Sequence, residues 1–271
     1  STTISCIVVF MSLFQAWTSF KYAPKYFHNK IFSIRAFAVN DNSIDYKKTS
    51  AVKPVAYNYG PIGDKNIAQH VWSKVVKPGD VVIDATCGNG HDSIKMARLA
   101  LTESIGKLYC IDIQQCAIDN TLSAFRNSTE FSDAFKQNIS DRVIFSCSDH
   151  KTFPPEIIPS SVSLITYNLG YLPGRPRGKE YEVIQTDFST TITSIKNAAN
   201  LIKEGGLLSV TAYPGHKGGE TELYEVQKLL SSFDQEDWRI HSHMPLNRPL
   251  LPTLFLAFKI EKFNYYKKKN L

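Results

Sequence analysis

One stretch restricts the fold of this chain more than any other: Val81-Val82-Ile83-Asp84-Ala85, followed by Thr86-Cys87-Gly88-Asn89-Gly90. Consecutive β-branched residues leave the first segment without a polar face, as in a strand buried on both sides. Two glycines then turn the backbone, and apolar residues resume at helical spacing from Asp92 to Leu101. A buried strand that passes through a glycine turn into a helix fits a sheet of parallel strands with helical crossovers.

The rest of the chain repeats that unit. The spacing predicts a helix over Asn66 to Val76, closed by the turn Lys77-Pro78-Gly79-Asp80. Strands are predicted over Lys107 to Ile113, Val143 to Cys147 and Val162 to Asn168, and helices over Ala117 to Arg126 and Thr190 to Ile202. After the turn Lys203-Glu204-Gly205-Gly206 come a strand, Leu207 to Tyr213, and a helix, Glu220 to Phe233. Trp238 to Met244 and Thr253 to Ile260 are then two strands with no helix between them. The expected fold is a doubly wound, Rossmann-like α/β sheet, mostly parallel, ending in an antiparallel edge hairpin.

One domain over residues 54–262 accounts for this pattern. Residues 1–50 read differently. They hold six Lys/Arg against two Asp, a net +4, and no acid precedes Asp41. The apolar run Ile4 to Phe14 is shorter than a membrane-spanning helix needs and has no basic residue before it. The composition fits an organelle transit peptide, with Ser33-Ile34-Arg35-Ala36-Phe37-Ala38 as a plastid processing site; mitochondrial targeting and an unaddressed tail are the alternatives. Residues 263–271 form a basic tail. Residues 51–258 carry 20 basic and 22 acidic residues, a net −2, so the body is no basic nucleic-acid clamp and any RNA contact is local. Five cysteines without CxxC or Cys/His spacing read as reduced, packed thiols. No stable membrane association is expected, and oligomeric state stays open.

The chemistry sits at the strand ends. Gly88 and Gly90 let the backbone approach a ligand closely, and the GxGxxG fingerprint of dinucleotide sites is absent. An acid, Asp84, at the end of the first strand suits S-adenosyl-L-methionine, whose amino-acid end carries an ammonium. Asp112, ending the second strand, is placed to accept both ribose hydroxyls, or else caps a helix. After the third strand, Asp149 can take the adenine amino group and His150 line the pocket; a capping role is the alternative for Asp149. The fourth strand ends in Asn168-Leu169-Gly170-Tyr171-Leu172-Pro173-Gly174. Amino-directed methyltransferases often carry Asn/Asp-Pro-Pro-aromatic here, and Asn168 and Tyr171 keep that spacing; a plain connecting loop is the bland reading. The terminal strand pair also matches the class I methyltransferase form of the sheet.

Asp84 to Ser93, Asp112-Ile113-Gln114, Asp149-His150, Asn168 to Gly174 and Tyr213-Pro214-Gly215-His216-Lys217-Gly218-Gly219 together resemble one family. It is that of the small bacterial and organellar tRNA wobble-uridine methyltransferases once labelled rRNA methylases, and the resemblance runs from about Asn66 to Ile260. It implies N-methylation of the aminomethyl group of 5-aminomethyl-(2-thio)uridine at position 34 of certain tRNAs. It also implies that Asn89, Asp92, Asp112, Gln114, Asp149 and His150 contact adenosylmethionine, in the crevice that holds Asp84, Gly88 and Gly90. Asn168 and Tyr171 are the expected catalytic pair, with Tyr213 and His216 on the same rim. Bacterial members usually follow the fourth motif with Gly-Asp-Lys, whereas this chain has Arg175-Pro176-Arg177-Gly178-Lys179. These cations suit anticodon-loop phosphates, and equally a solvated loop. Rival readings are an rRNA or small-amine methyltransferase, and a non-catalytic RNA-binding module on the same fold.

Overall fold

The computed structural model describes residues 63–102, 105–170, 188–216, 218–248 and 250–262. Helix α1 (Asp64–Val75) precedes strand β1 (Val81–Asp84), helix α2 (His91–Ala100), strand β2 (Lys107–Asp112) and helix α3 (Gln115–Asn127). A short helix α4 (Asp133–Gln137) and one 3₁₀ turn lead into β3 (Val143–Cys147) and β4 (Val162–Asn168). Helix α5 (Phe188–Leu201), strand β5 (Ile202–Ala212), helix α6 (Gly219–Ser231), β6 (Trp238–His243) and β7 (Thr253–Lys259) complete the order.

The seven strands lie in the order β3-β2-β1-β4-β5-β7-β6. β1 pairs in parallel with β2 on one side and β4 on the other, so strand order reverses at β1 and opens a crevice at its carboxyl end. Val82, Ile83, Leu108, Cys110, Leu164 and Ile165 are fully buried, as strands covered on both faces require. One face packs Trp72, Met96 and Phe125 against the sheet; the other packs Ile195, Val226 and Leu230.

The expected antiparallel edge hairpin is formed by β6 and β7. Three features add to the pattern read in the sequence or depart from it. β7 inserts between β5 and β6, antiparallel to both, and β6 is the edge. Burial decides this: Leu254 to Ala257 are all buried, whereas Arg239, His241, Ser242 and His243 are exposed and belong at a wet edge. Second, the expected turn Lys203 to Gly206 lies inside β5, which starts directly after α5. Its pairing with β4 shifts register between Val162 and Leu164, and Gly205 takes a φ of 73°. Third, α4 is too short to leave a periodic signal.

No helix among the described residues is long and apolar enough to cross a membrane. The expected segments 1–50 and 263–271 lie outside the described residues, as do Tyr171, Arg175, Arg177 and Lys179.

Candidate active site at the carboxyl edge of the sheet

The turn after β1 is tied to both neighbouring strands. Ala85 N–H donates to the Thr166 carbonyl at 2.9 Å, and Cys87 N–H to the Ile111 carbonyl at 3.0 Å. Gly88 and Gly90 then take φ of 51° and 79°, the left-handed region that favours glycine. Gly90 also has no room for a side chain: a Cβ would sit 2.9 Å from the Thr121 Cα on α3. Thr121 Oγ1 donates to the Gly88 carbonyl at 3.0 Å, so α3 is clamped against the turn.

The acids of the sequence motifs take different positions around it. Asp84 is buried to 1% exposure, and its carboxyl turns inward, accepting from Ser93 Oγ at 2.6 Å. Burial, opposed by the Ser93 hydrogen bond, raises its pKa to about 7. Asp112 accepts from Gly88 N–H at 3.1 Å and from Gln114 N–H at 3.0 Å. It thus fastens the end of β2 to the glycine turn. Burial raises its pKa, against those backbone hydrogen bonds. It does not cap α3, whose cap position belongs to Gln114. Asn89 accepts from Asn120 Nδ2 at 3.0 Å at the outer lip.

Asp92, in the first turn of α2, joins three elements. Its Oδ1 accepts from Gln69 Nε2 of α1 at 2.8 Å and lies 3.7 Å from Lys65 Nζ; its Oδ2 accepts from Asn168 Nδ2 at 2.9 Å. The backbone N–H of Asn168 donates to Thr86 Oγ1 at 2.7 Å, which fixes the end of β4 beside the turn. Leu169 N–H still pairs with the Thr211 carbonyl, after which Gly170 leaves the sheet at φ 140°. A Cβ on Gly170 would lie 3.5 Å from His216 Nε2 and 3.8 Å from Tyr213 Cδ2, so both rim residues border the Asn168 segment. A Cβ on Gly219 would collide with the Tyr213 carbonyl, which explains a glycine where that rim loop meets α6.

Beyond β2, Ser148 N–H donates to the Asp112 carbonyl and brings Asp149-His150 to the same edge. Asp149 accepts from Lys151 N–H at 2.8 Å; it shapes a bend and caps no helix. The His150 ring meets the Tyr167 ring edge-on at 5.7 Å, and its carbonyl accepts from Ser194 Oγ. Burial lowers the His150 pKa, against the pull of Asp149, and favours the neutral imidazole.

The structure therefore gathers Asp84, Gly88, Asn89, Gly90, Asp92, Asp112, Gln114, Asp149, His150, Asn168, Tyr213 and His216 along one edge. Residue patterns alone missed the supports: Gln69, Thr86, Ser93, Thr121 and Ser194. Ser93 and Thr86 sit within the quoted stretch Asp84 to Ser93, without a role assigned to them. Gln69 lies 23 residues before Asp92 on another helix, and no local pattern connects them.

Known proteins resemble this chain. A family model described as "Putative rRNA methylase" matches residues 108–259. The chain is 36% identical over 212 residues to "tRNA (mnm(5)s(2)U34)-methyltransferase, chloroplastic" of Arabidopsis thaliana, covering 76% of this chain and 73% of that one. A crystal structure of a "putative rRNA-methylase" from Clostridium thermocellum superposes with a TM-score of 0.63 at 30% identity, covering 73% of this chain and 98% of the other. A "putative methyltransferase" from Streptococcus mutans, crystallised with SAH, gives 0.59 at 25% identity over the same shares. With that glycine turn, that acid-lined edge and those relatives, the chain belongs to the rRNA methylase-type family of methyltransferases that includes the Arabidopsis tRNA enzyme.

Proposed function

We propose that the protein uses S-adenosyl-L-methionine to N-methylate the aminomethyl group of 5-aminomethyl-(2-thio)uridine at tRNA position 34, giving the 5-methylaminomethyl form, in the chloroplast. The observation that carries the reading is the Asn168 amide. Its nitrogen is committed to Asp92, which leaves Oδ1 as the acceptor presented at the end of β4. The tRNA and the compartment rest on the Arabidopsis relative, whose name gives both, and on the acid-poor sequence of residues 1–50.

The residues fit the cofactor. The edge is rich in carboxylates, which suits a ligand with a sulfonium and an ammonium rather than a pyrophosphate. Asp112, half-buried at the end of β2, would take the ribose hydroxyls, with Gln114 beside it. Asp92 keeps lone-pair positions for the ammonium, flanked by Gly88, Asn89 and Gly90. Asp84 supports the turn from beneath through Ser93. Asp149 and His150 would border the adenine. When bound, the cofactor supplies the methyl group and a neutral sulfide as leaving group.

The acceptor must be neutral to attack, and an aliphatic amine has a pKa of roughly 10 in water. Desolvation at the Gly170 rim, to which the motif would add the Tyr171 ring, lowers that value, and the proton leaves to solvent or to His216 before transfer. Asn168 Oδ1 then accepts one N–H of the amine and points its lone pair along the line of displacement. Tyr213 and His216 hold the nucleotide on the outer side. Arg175, Arg177 and Lys179 supply phosphate contacts from the neighbouring segment.

Methyl incorporation into tRNA bearing 5-aminomethyl-2-thiouridine, beside tRNA lacking the aminomethyl group, tests the acceptor. Asn168→Ala should lower kcat at least about 100-fold while the cofactor Kd stays within about twofold, because the interaction is made only in the transition state. Equal labelling of both tRNAs, or a fully active Asn168→Ala enzyme, overturns the reading.

A further inference from the structure

We infer that Gln69, on the helix before the cofactor motif, is a positioning residue for methyl transfer, acting through Asp92 on the orientation of the Asn168 amide. The inference rests on the assignment of Asn168 above and extends it to a part of the chain that carries no motif.

An amide side chain can stand two ways round with almost the same shape, and only its partners decide whether oxygen or nitrogen faces a given direction. For an amine acceptor the choice is critical. The oxygen accepts an N–H and leaves the amine lone pair free, whereas the NH₂ would donate to that lone pair and block attack. Asp92 makes the choice here. A carboxylate only accepts, so the 2.9 Å contact from Asn168 Nδ2 to Asp92 Oδ2 excludes the flipped amide, which would set oxygen against oxygen.

Asp92 can decide only if it is itself held. It lies in the first turn of α2, where its Cβ alone leaves χ1 and χ2 rotation. Gln69 Nε2, donating to Oδ1 at 2.8 Å, fixes that rotation from the opposite side. Lys65 Nζ, one helical turn earlier on α1, adds its charge to the same oxygen at 3.7 Å. The contacts of Asp92 thus join α2 to α1 and β4, and the two hydrogen bonds span 23 and 76 residues of sequence. Gln69 is only partly buried on an amphipathic helix whose core contacts are made by Ala68 and Trp72, so its role in the fold is small.

The test uses the full chain with Gln69→Met, which keeps the length and loses the donor, and Gln69→Glu, which keeps the shape and repels Asp92. kcat for the aminomethyl tRNA should fall about tenfold in Gln69→Met, the loss of one charge-assisted hydrogen bond, and further in Gln69→Glu. Because Asp92 on the same reading also meets the cofactor ammonium, cofactor Kd should rise in both variants but clearly less than kcat falls, and the Tm should stay within about 2 °C, which a merely structural residue would not allow. Wild-type kcat in Gln69→Glu overturns the inference, and so does a cofactor Kd that worsens as much as kcat falls. Should Asn168→Ala prove fully active, the assignment of Asn168 fails first; an inactive Asn168→Ala beside an active Gln69→Glu removes Gln69 alone.

Discussion

At the scale of single residues, the acids that look alike in sequence do different work because they are buried differently. Asp112 meets two backbone N–H groups and is only half-buried at the end of β2, so on the proposed ribose role Asp112→Ala should weaken cofactor binding by about 2–3 kcal/mol, roughly 30- to 150-fold, through lost charge-assisted contacts. Titration calorimetry reads this directly, and unchanged affinity would take Asp112 out of the site. Asp84 should instead announce itself in stability. Its folded pKa is raised to about 7, above the ordinary carboxyl value, so the folded chain holds a proton that the unfolded chain has already released. In that window the unfolded state binds fewer protons, and the Asp84 contribution makes stability fall as pH rises from about 4 to 7. Asp84→Asn, which cannot titrate, should flatten that fall in a Tm-against-pH profile; an unchanged slope would place the cause elsewhere. Asp84 also shows what the sequence could not disclose. An acid ending a strand before a glycine turn reads as a ligand-facing carboxyl, and only the 2.6 Å bond to Ser93 shows it turned inward.

At the scale of elements, what could be read tracked the strength of the local signal. β3 and β4 lie where the sequence placed them, because each is a compact apolar run bounded by polar residues. The start of β5 was hidden, since Gly205-Gly206 reads as a turn when it is a register shift inside a strand. The order of β6 and β7 was hidden too, because neighbours in a sheet are chosen by burial across the whole molecule. That choice has a measurable consequence. Leu254 is fully buried on interior β7, so Leu254→Ala should cost about 2–5 kcal/mol. His241 is exposed on edge β6, and His241→Ala should change stability by less than about 0.5 kcal/mol. Denaturant unfolding of the two variants distinguishes the arrangement from a sheet in which β6 lies inside. The same contrast governs the glycine turn: Gly90→Ala would force a side chain into a φ of 79° against the Thr121 backbone, and should lose at least about 1–3 kcal/mol.

At the scale of the whole molecule, the separation of charge sets what the body can do with RNA. The site edge is acidic, residues 51–258 sum to −2, and the basic excess lies in residues 1–50 and 259–271. A cofactor with two positive centres is attracted to such an edge, whereas a polyanion is not. On the proposed function, affinity for tRNA would come from local cations and from base contacts at the pocket. Residues 1–50 are acid-poor and lie outside the alternation of strands and helices, so a chain starting at Val52 should keep its Tm, its cofactor Kd and its kcat; loss of any of these would make the segment part of the enzyme. The basic segment 263–271 should behave otherwise. Lys267, Lys268 and Lys269 form its charge run, and each phosphate contact on a single-stranded loop contributes about −0.7 to the slope of log K against log salt. Removing residues 263–271 should leave the cofactor Kd unchanged, raise the KM for tRNA at low salt, and reduce the salt slope by as much as about 2 if all three lysines meet phosphate. Measured between about 50 and 200 mM salt, where such contacts lose most of their strength, the truncated and full chains should converge as salt rises. If the two slopes are the same at every salt concentration, the tail is solvated charge, and the phosphate contacts fall to Arg175, Arg177 and Lys179.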